Sequence, residues 1–302
     1  MFNEKEIQSM LYLLDDSDDR VVEQIEGSLM QLGSEIIPFL EDYWPNEENE
    51  IRQSRIVDLI KKIREESLVE SLEKWLKSDD QDLLDGVLII NRIVKPNLDK
   101  QVIDNKLDKI KLDAWLELNY DLTSFEKIKI LNHIFFDVHK FKGDTENYHH
   151  SKNSFLSSVL DSKQGNPISL AVIYSIVAQR LNIPVYGVNL PQHFILGYIK
   201  DLEWMPLKKL NDQSVLRDEA GSEIMFYINP FNSGLIFNRE NILKFLKQLK
   251  VEPKDDFFKA CSNKSILVRI LRNLEVSFAK ENSTAKLDQV RKLMKVLQRN
   301  SL

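Results

Sequence analysis

Three short stretches of this 302-residue chain carry residue types that can do chemistry together. Gly165-Asn166-Pro167-Ile168-Ser169-Leu170-Ala171 opens a helix: Asn166 is a good N-cap, and Pro167 is preorganised for the first helical position. Pro191-Gln192-His193-Phe194 and Ile228-Asn229-Pro230-Phe231-Asn232 each border a strand signal. A helix N-terminus favours an anion through its dipole and free N–H groups. A histidine can take a proton near neutrality, and an amide can hold its ring. The missing part is a nucleophile. Pro167 has neither a nucleophilic nor an acid–base group. Ser169 lies roughly 200° around the helix from Pro167, so its expected role is a satisfied first-turn hydroxyl. Cys261 lies far along the chain, and its expected role is that of a small buried apolar residue. His193 keeps two readings, a relic or ligand-binding group with one ring nitrogen held by Asn229, or a structural histidine bonded to a backbone carbonyl.

A second titratable group sits in the polar loop from Asp144 to Lys152, where His149 and His150 are adjacent. Adjacent side chains diverge on a regular backbone, so a metal would need a third ligand such as His139. No strong ligand spacing is present, and the expectation is a polar rim with no metal and no cofactor.

The elements that must position these residues follow from periodicity. Residues up to about Val94 read as helices only, with Leu11, Leu14, Val21, Val22, Ile25, Leu29 and Leu32 at helical spacing. Polar clusters precede Val21, Ile51 and Leu83, apolar positions 30 and 32 residues apart, each followed by an amphipathic helix. Val94-Lys95-Pro96-Asn97 stops that region. Leu98 to Leu118 is expected to bury Val102, Leu107, Ile110 and Trp115 on one face. Thr123-Ser124-Phe125-Glu126 is a capping box opening a helix through Ile130, Ile134 and Val138. Gly143 is the expected left-handed stop. Asn153 to Leu160 reads as a short helix, and Ile168 to Leu181 is apolar nearly all round, hence buried. Strands are expected at Val185 to Leu190, His193 to Ile199 and Ile224 to Ile228, with Asp201 to Gly221 as a polar connection and candidate flap. Asn238 caps a further helix. Ile266 to Lys280 and Ala285 to Arg299 form a helical hairpin that must pack on the core, since one such unit cannot bury its own face. Its Lys286, Arg291, Lys292, Lys295 and Arg299 read as a solvated face.

Composition bounds the partners. The chain is 43% hydrophobic and 29% charged, suited to a soluble protein of about two domains. The first residues do not form a signal peptide, and no stretch reaches the ~20 apolar residues of a membrane span. One cysteine excludes an internal disulfide and points to a reducing, cytoplasmic setting. A net charge of −6 argues against nucleic acid as main partner. Residues 1–50 hold 14 Asp and Glu against Lys5 and Arg20. That is either a solvated acidic face or a docking surface for a basic partner.

Four boxes in order resemble the bacterial SirB-type proteins of the transglutaminase-like superfamily. They are Asn153-Ser154-Phe155-Leu156, Gly165 to Ala171, Gly187 to Phe194, and Ile228 to Gly234. The resemblance covers roughly Asp99 to Leu302. It implies an α+β, mostly α fold. A helical segment 1–95, either HEAT-like repeats or a plain bundle, precedes a transglutaminase-like core at 96–250 with a small antiparallel sheet. A tetratricopeptide-like helical hairpin follows at 251–302. Papain-like and transglutaminase-like enzymes place a Cys in the helix's first turn, then a His and an Asp or Asn on strands. Carried over, the Cys position falls on Pro167, the His on His193 and the Asp on Asn229. SirB-type members typically write the first box with Pro as well. The resemblance therefore implies a noncatalytic protein that binds another protein or peptide. Its expected pocket is built from Asn166, Ser169, Gln192, His193, Asn229 and Asn232. The alternative is a hydrolase or acyltransferase using His193 with an unconventional nucleophile.

Overall fold

The computed structural model describes residues 3–200 and 224–299; the expected flap, Asp201 to Gly221, lies outside the described residues. The chain gathers into two compact units, Met1–Ser71 and Leu72–Leu302, and the division falls inside one long helix, α4. These units do not divide at the sequence boundaries near 95 and 250.

The first unit is helical. α1 (Glu4–Tyr12), α2 (Asp19–Gln31), α3 (Ile37–Tyr43) and the beginning of α4 (Glu50–Lys77) close on Leu11, Leu14, Leu29, Ile36, Leu40, Ile56 and Leu59. Its helices start where the polar clusters predict. Asp18 accepts from the Arg20 N–H at 3.0 Å, and Asn49 accepts from the N–H groups of Ile51 and Arg52. Some of the acidic charge is internally paired: Arg52 meets Glu47 at 3.0 Å and Asp15 at 3.5 Å.

In the second unit, α5 (Leu83–Asn91) is capped by Asp82, and α6 (Lys100–Glu117) follows. The buried face of α6 is Ile103, Leu107, Ile110 and Ala114; Val102 and Trp115 are 47% and 61% exposed. The expected face was one position off at both ends, and one position is about 100° of helix. α7 (Ser124–Asn132) opens on the predicted capping box and continues as a π-helical turn, His133–Val138. The left-handed residue that ends it is Lys140, at φ 60°, and not Gly143. Gly143 instead belongs to β1 (Lys142–Gly143), which pairs in parallel with β2 (Gln164–Gly165). A Cβ at Gly143 would lie 2.5 Å from the Phe231 ring, so close approach is what requires glycine there.

A 3-10 turn, Ser151–Ser154, leads into α8 (Leu156–Ser162). α9 (Pro167–Arg180) is buried from Pro167 through Ala178 and stops before Asn182, at φ 58°. The larger sheet is antiparallel in the order β3 (Val185–Leu190), β4 (His193–Ile199), β5 (Ile224–Asn229), β6 (Leu235–Phe237). Successive strand residues point to opposite faces. β3 and β4 are buried at consecutive positions, so both sheet faces are covered there. α9 packs against both strands. α10 (Arg239–Gln248) adds Ile242 and Leu246 to a cluster with Val188, Leu190, Ile195 and Tyr227. α11 (Asn263–Lys280) and α12 (Thr284–Arg299) form the expected hairpin, with α11 against α5, α9 and β3. The fold is α+β and mostly α. Among the described residues, no helix is long and apolar enough to cross a membrane.

Candidate functional site

The tip of α9 is held by a closed set of hydrogen bonds. Asn166 Oδ1 accepts from the Ser169 N–H at 3.0 Å, and Ser169 Oγ accepts from the Asn166 N–H at 3.1 Å. The Ser169 hydroxyl donates to the Asn166 carbonyl, also at 3.1 Å. Asn166 Nδ2 donates to Ser154 Oγ at 2.8 Å. One residue earlier, Asn153 Nδ2 donates to Asp144 and to the Asn147 carbonyl, fixing the loop before it. Backbone and side-chain donors from Asn147 and Asn153 hold the Asp144 carboxyl below the usual carboxylate range. The box Asn153-Ser154 is thus a brace for the helix tip. Pro167 is left as the first helical residue, with no N–H to donate.

His193 faces that tip across a two-residue hairpin. Leu190 pairs with His193, and Pro191-Gln192 makes the turn. Gln192 sits at φ 59°, a left-handed conformation that glycine or asparagine takes more easily. Burial pushes the His193 pKa below the ordinary imidazole value; a hydrogen bond with Asn229 works against that, and the Arg269 cation adds to it. The net effect keeps the ring neutral near pH 7. The Phe245 ring flanks it at 6.2 Å. Asn229 Oδ1 also accepts from the N–H groups of Phe231, at 3.1 Å, and Asn232, at 3.3 Å, so the residue behind His193 is fixed by its own turn.

A cavity of about 210 Å³ lies between these parts. Asn166, Pro167 and Ile168 of the helix tip line it, as do Gln192, His193 and Phe194 of the hairpin. α11 contributes Arg269, Asn273, Val276 and Ser277, and the loop before α8 contributes Tyr148 and His149. Arg269 is half-buried; its Nη1 donates to Asn189 Oδ1 at 3.2 Å and to the Leu190 carbonyl at 3.3 Å. Tyr148 packs edge-on to His149 at 5.1 Å and to Phe231 at 5.8 Å.

Of the six expected pocket residues, Asn166, Gln192 and His193 line the cavity, and Asn229 stands behind His193. Ser169 and Asn232 do not line it: the Ser169 hydroxyl is consumed inside the cap, and Asn232 is an exposed turn residue. Pro167 and His193, which the resemblance places together, line the same cavity. Cys261 is not among the lining residues, and burial pushes its thiol up to about 12. The histidines do not converge. His139 Nε2 lies 2.8 Å from Asp113, His150 accepts from the Lys152 N–H, and His149 alone of the three lines the cavity. No group of three possible metal ligands occurs among the described residues. Sequence reading missed the α11 side of the site. Arg269, Asn273 and Ser277 recur every four residues on a helix, beside the buried row Ile266, Ile270, Leu274 and Phe278. A polar stripe on a helix required to pack inward was the available signal.

Residues 101–272, more than half of the chain, match the family described as "Transglutaminase-like superfamily". A "UPF0162 protein" of Xylella fastidiosa is 30% identical over 214 residues, 68% of each chain. Protein SirB1 of Salmonella typhimurium is 23% identical over 203 residues, 66% of this chain and 67% of its own. F-box only protein 21 of Mus musculus is 36% identical over a shorter stretch of 73 residues, 24% of this chain and 12% of its own. No solved structure matches. The matched region includes the α9 tip, the His193 hairpin, Asn229 and Arg269, and the chain belongs to the transglutaminase-like superfamily as a SirB-type protein.

Proposed function

We propose that this protein is a noncatalytic transglutaminase-like protein that binds another protein or a peptide, with the cavity at the α9 tip as its recognition pocket. The carrying observation is Pro167, which lines the cavity opposite the His193 side where an attacking group would be needed. Two other candidates are otherwise employed: the Ser169 hydroxyl in the cap, the Cys261 thiol held protonated by burial. In this reading the N-terminal helices are a HEAT-like docking module. Their excess of acid suits a basic partner, and the α11–α12 hairpin is a tetratricopeptide-like buttress of the pocket. The setting is cytoplasmic. The test is turnover: full-length protein is incubated with peptide, ester and acyl-donor substrates, and with iodoacetamide and fluorophosphonate probes. No product and no probe adduct at the cavity are expected. Hydrolysis or acyl transfer that disappears in His193→Ala would overturn the proposal.

One observation favours a second reading. A neutral His193 held by Asn229 is a competent base, and a hydroxyl, that of Ser277, lines the same cavity. A hydrolase or acyltransferase would have to use it, and fluorophosphonate labelling lost in Ser277→Ala would mark that chemistry.

A further inference from the structure

The cavity carries a cation with no carboxylate partner among the described residues. Arg269 forms no ion pair among the described residues, and no Asp or Glu lines the cavity. The charged and titratable groups near it are the Tyr148 phenol, the Cys261 thiol, the His193 ring and a second cation, Arg272. Half-buried charges are ordinarily paired, because desolvation without a partner is costly. The guanidinium is nonetheless fixed in place. Nη1 bonds two oxygens at the end of β3, and among the described residues these are its only acceptors. An arginine has five N–H donors in a rigid fork, and those with no acceptor among the described residues can meet a planar anion. The other polar groups of the wall agree in sign. The α9 tip presents the positive end of a 14-residue helix, His193 is neutral, and Gln192 and Asn273 bring amides. Val276, Phe194 and Ile168 supply apolar surface beside the cation.

We propose that the cavity binds a carboxylate presented by a peptide, with Arg269 as its counter-ion. This rests on the reading of the cavity as a peptide pocket and names the group recognised there. A carboxylate suits the planar fork, and the adjacent apolar wall suits a side chain next to it.

The experiment uses the full chain and four probes: N-acetylphenylalanine, its neutral amide, N-acetylaspartate amide and inorganic phosphate. Binding is followed by calorimetry and by the histidine ring resonances. The expected result is that N-acetylphenylalanine binds at least about tenfold tighter than its amide and shifts the His193 ring signals. Arg269→Gln should abolish the difference, and Arg269→Lys should restore part of it. Stronger binding of N-acetylaspartate amide would assign a side-chain carboxylate as source, and stronger binding of N-acetylphenylalanine a chain terminus; both support the proposal. Equal binding of N-acetylphenylalanine and its amide, with N-acetylaspartate amide binding no tighter than either, would overturn the carboxylate assignment while leaving a peptide pocket. Binding of phosphate alone, or of no probe, would also overturn it. Because Arg269 braces β3, the variants are compared by melting curve first, and the acid–amide comparison on the unaltered protein decides even if they unfold. Conversion of the amide to the acid would show in the same spectra. It would refute the noncatalytic reading separately.

Discussion

If the α9 tip is a nucleophile position occupied by proline, then Pro167→Cys should create an activated thiol there. The helix terminus contributes about 1 kcal/mol, and up to ~2 kcal/mol in partly buried geometry, toward an anion. At ~1.4 kcal/mol per pKa unit, that alone moves a thiol from about 8.5 to roughly 7.1–7.8. The Arg269 cation acts in the same direction, and neutral His193 is placed to take the proton. Burial opposes them. Cys261, which directly precedes the Ser262 cap of α11, is still pushed up to about 12 by burial. The cavity decides the contest, because position 167 opens onto a 210 Å³ space where Cys261 does not. The expected midpoint is therefore about 6–7, which makes roughly half to nine-tenths of the thiol a thiolate at pH 7. Cys261 would be ionised at roughly one part in 10⁵. Exchanging a first-turn proline costs at most about 1 kcal/mol of stability, so the variant should fold. Iodoacetamide alkylation from pH 5 to 9, followed by intact mass in a Cys261→Ala background, measures the midpoint. Adding His193→Ala should raise it by about one unit. A midpoint at or above 8.5, or no response to His193→Ala, would refute the placement of helix tip and histidine on which the functional reading depends.

Other perturbations test the frame. Gly143→Ala drives a methyl into Phe231, which in turn packs on Tyr148; a loss of about 1–3 kcal/mol is expected in denaturant melts, with weaker binding at the pocket. Glu281 accepts from the Ser151 N–H at 2.8 Å and from its hydroxyl at 3.0 Å, tying the α11–α12 turn to the start of the 3-10 turn. Glu281→Ala should cost about 1 kcal/mol, read as a lower melting temperature, and Glu281→Gln should recover part of it. Burial lowers the folded pKa of His193, so between that value and about 6.5 the unfolded chain binds more protons. Stability is then complete above 6.5 and falls as pH drops through that window. Melting temperatures at pH 7.5 and 5.5 should differ more in the unaltered protein than in His193→Gln, and equal slopes would refute a buried neutral His193.

Local chemistry was the readable part of the sequence. Caps at Asp18, Asp82, Thr123, Asn166 and Asn238 name helix starts because the side chain and the donor it satisfies lie within four residues. β4 was bounded correctly because its turn, Pro191-Gln192, is adjacent to it. Faces were less legible. α6 carries Val102 beside Ile103 and Trp115 beside Ala114, and apolarity cannot choose between neighbours when the smaller or more central one is buried. Gly143 was misassigned because its reason is Phe231, 88 residues away. Ser169 was placed in the pocket because it is next to the tip in sequence, although a first-turn hydroxyl at N3 is drawn back to the cap. Arg269 was invisible as a site residue because it belongs to a separate helical hairpin, and only packing brings α11 to the hairpin of β3 and β4.

Whether the cavity is a vestige or a working pocket turns on where the unfavourable features lie. Three occur around this one space: Gln192 in a left-handed backbone, a half-buried Arg269 without a carboxylate partner among the described residues, and a histidine whose protonated form is opposed. A non-glycine residue in that backbone region costs about 1–2 kcal/mol, and an uncompensated half-buried charge costs a comparable amount or more. A core with no further task could relieve each by a single substitution, glycine at 192 or an aliphatic residue at 269. Strain of this kind concentrates where the surrounding structure needs a particular geometry or charge. Under the proposed reading, Pro167 stands where an attacking atom would be needed, while the cation, the ring and the helix tip line the same cavity, a combination suited to holding a ligand without consuming it.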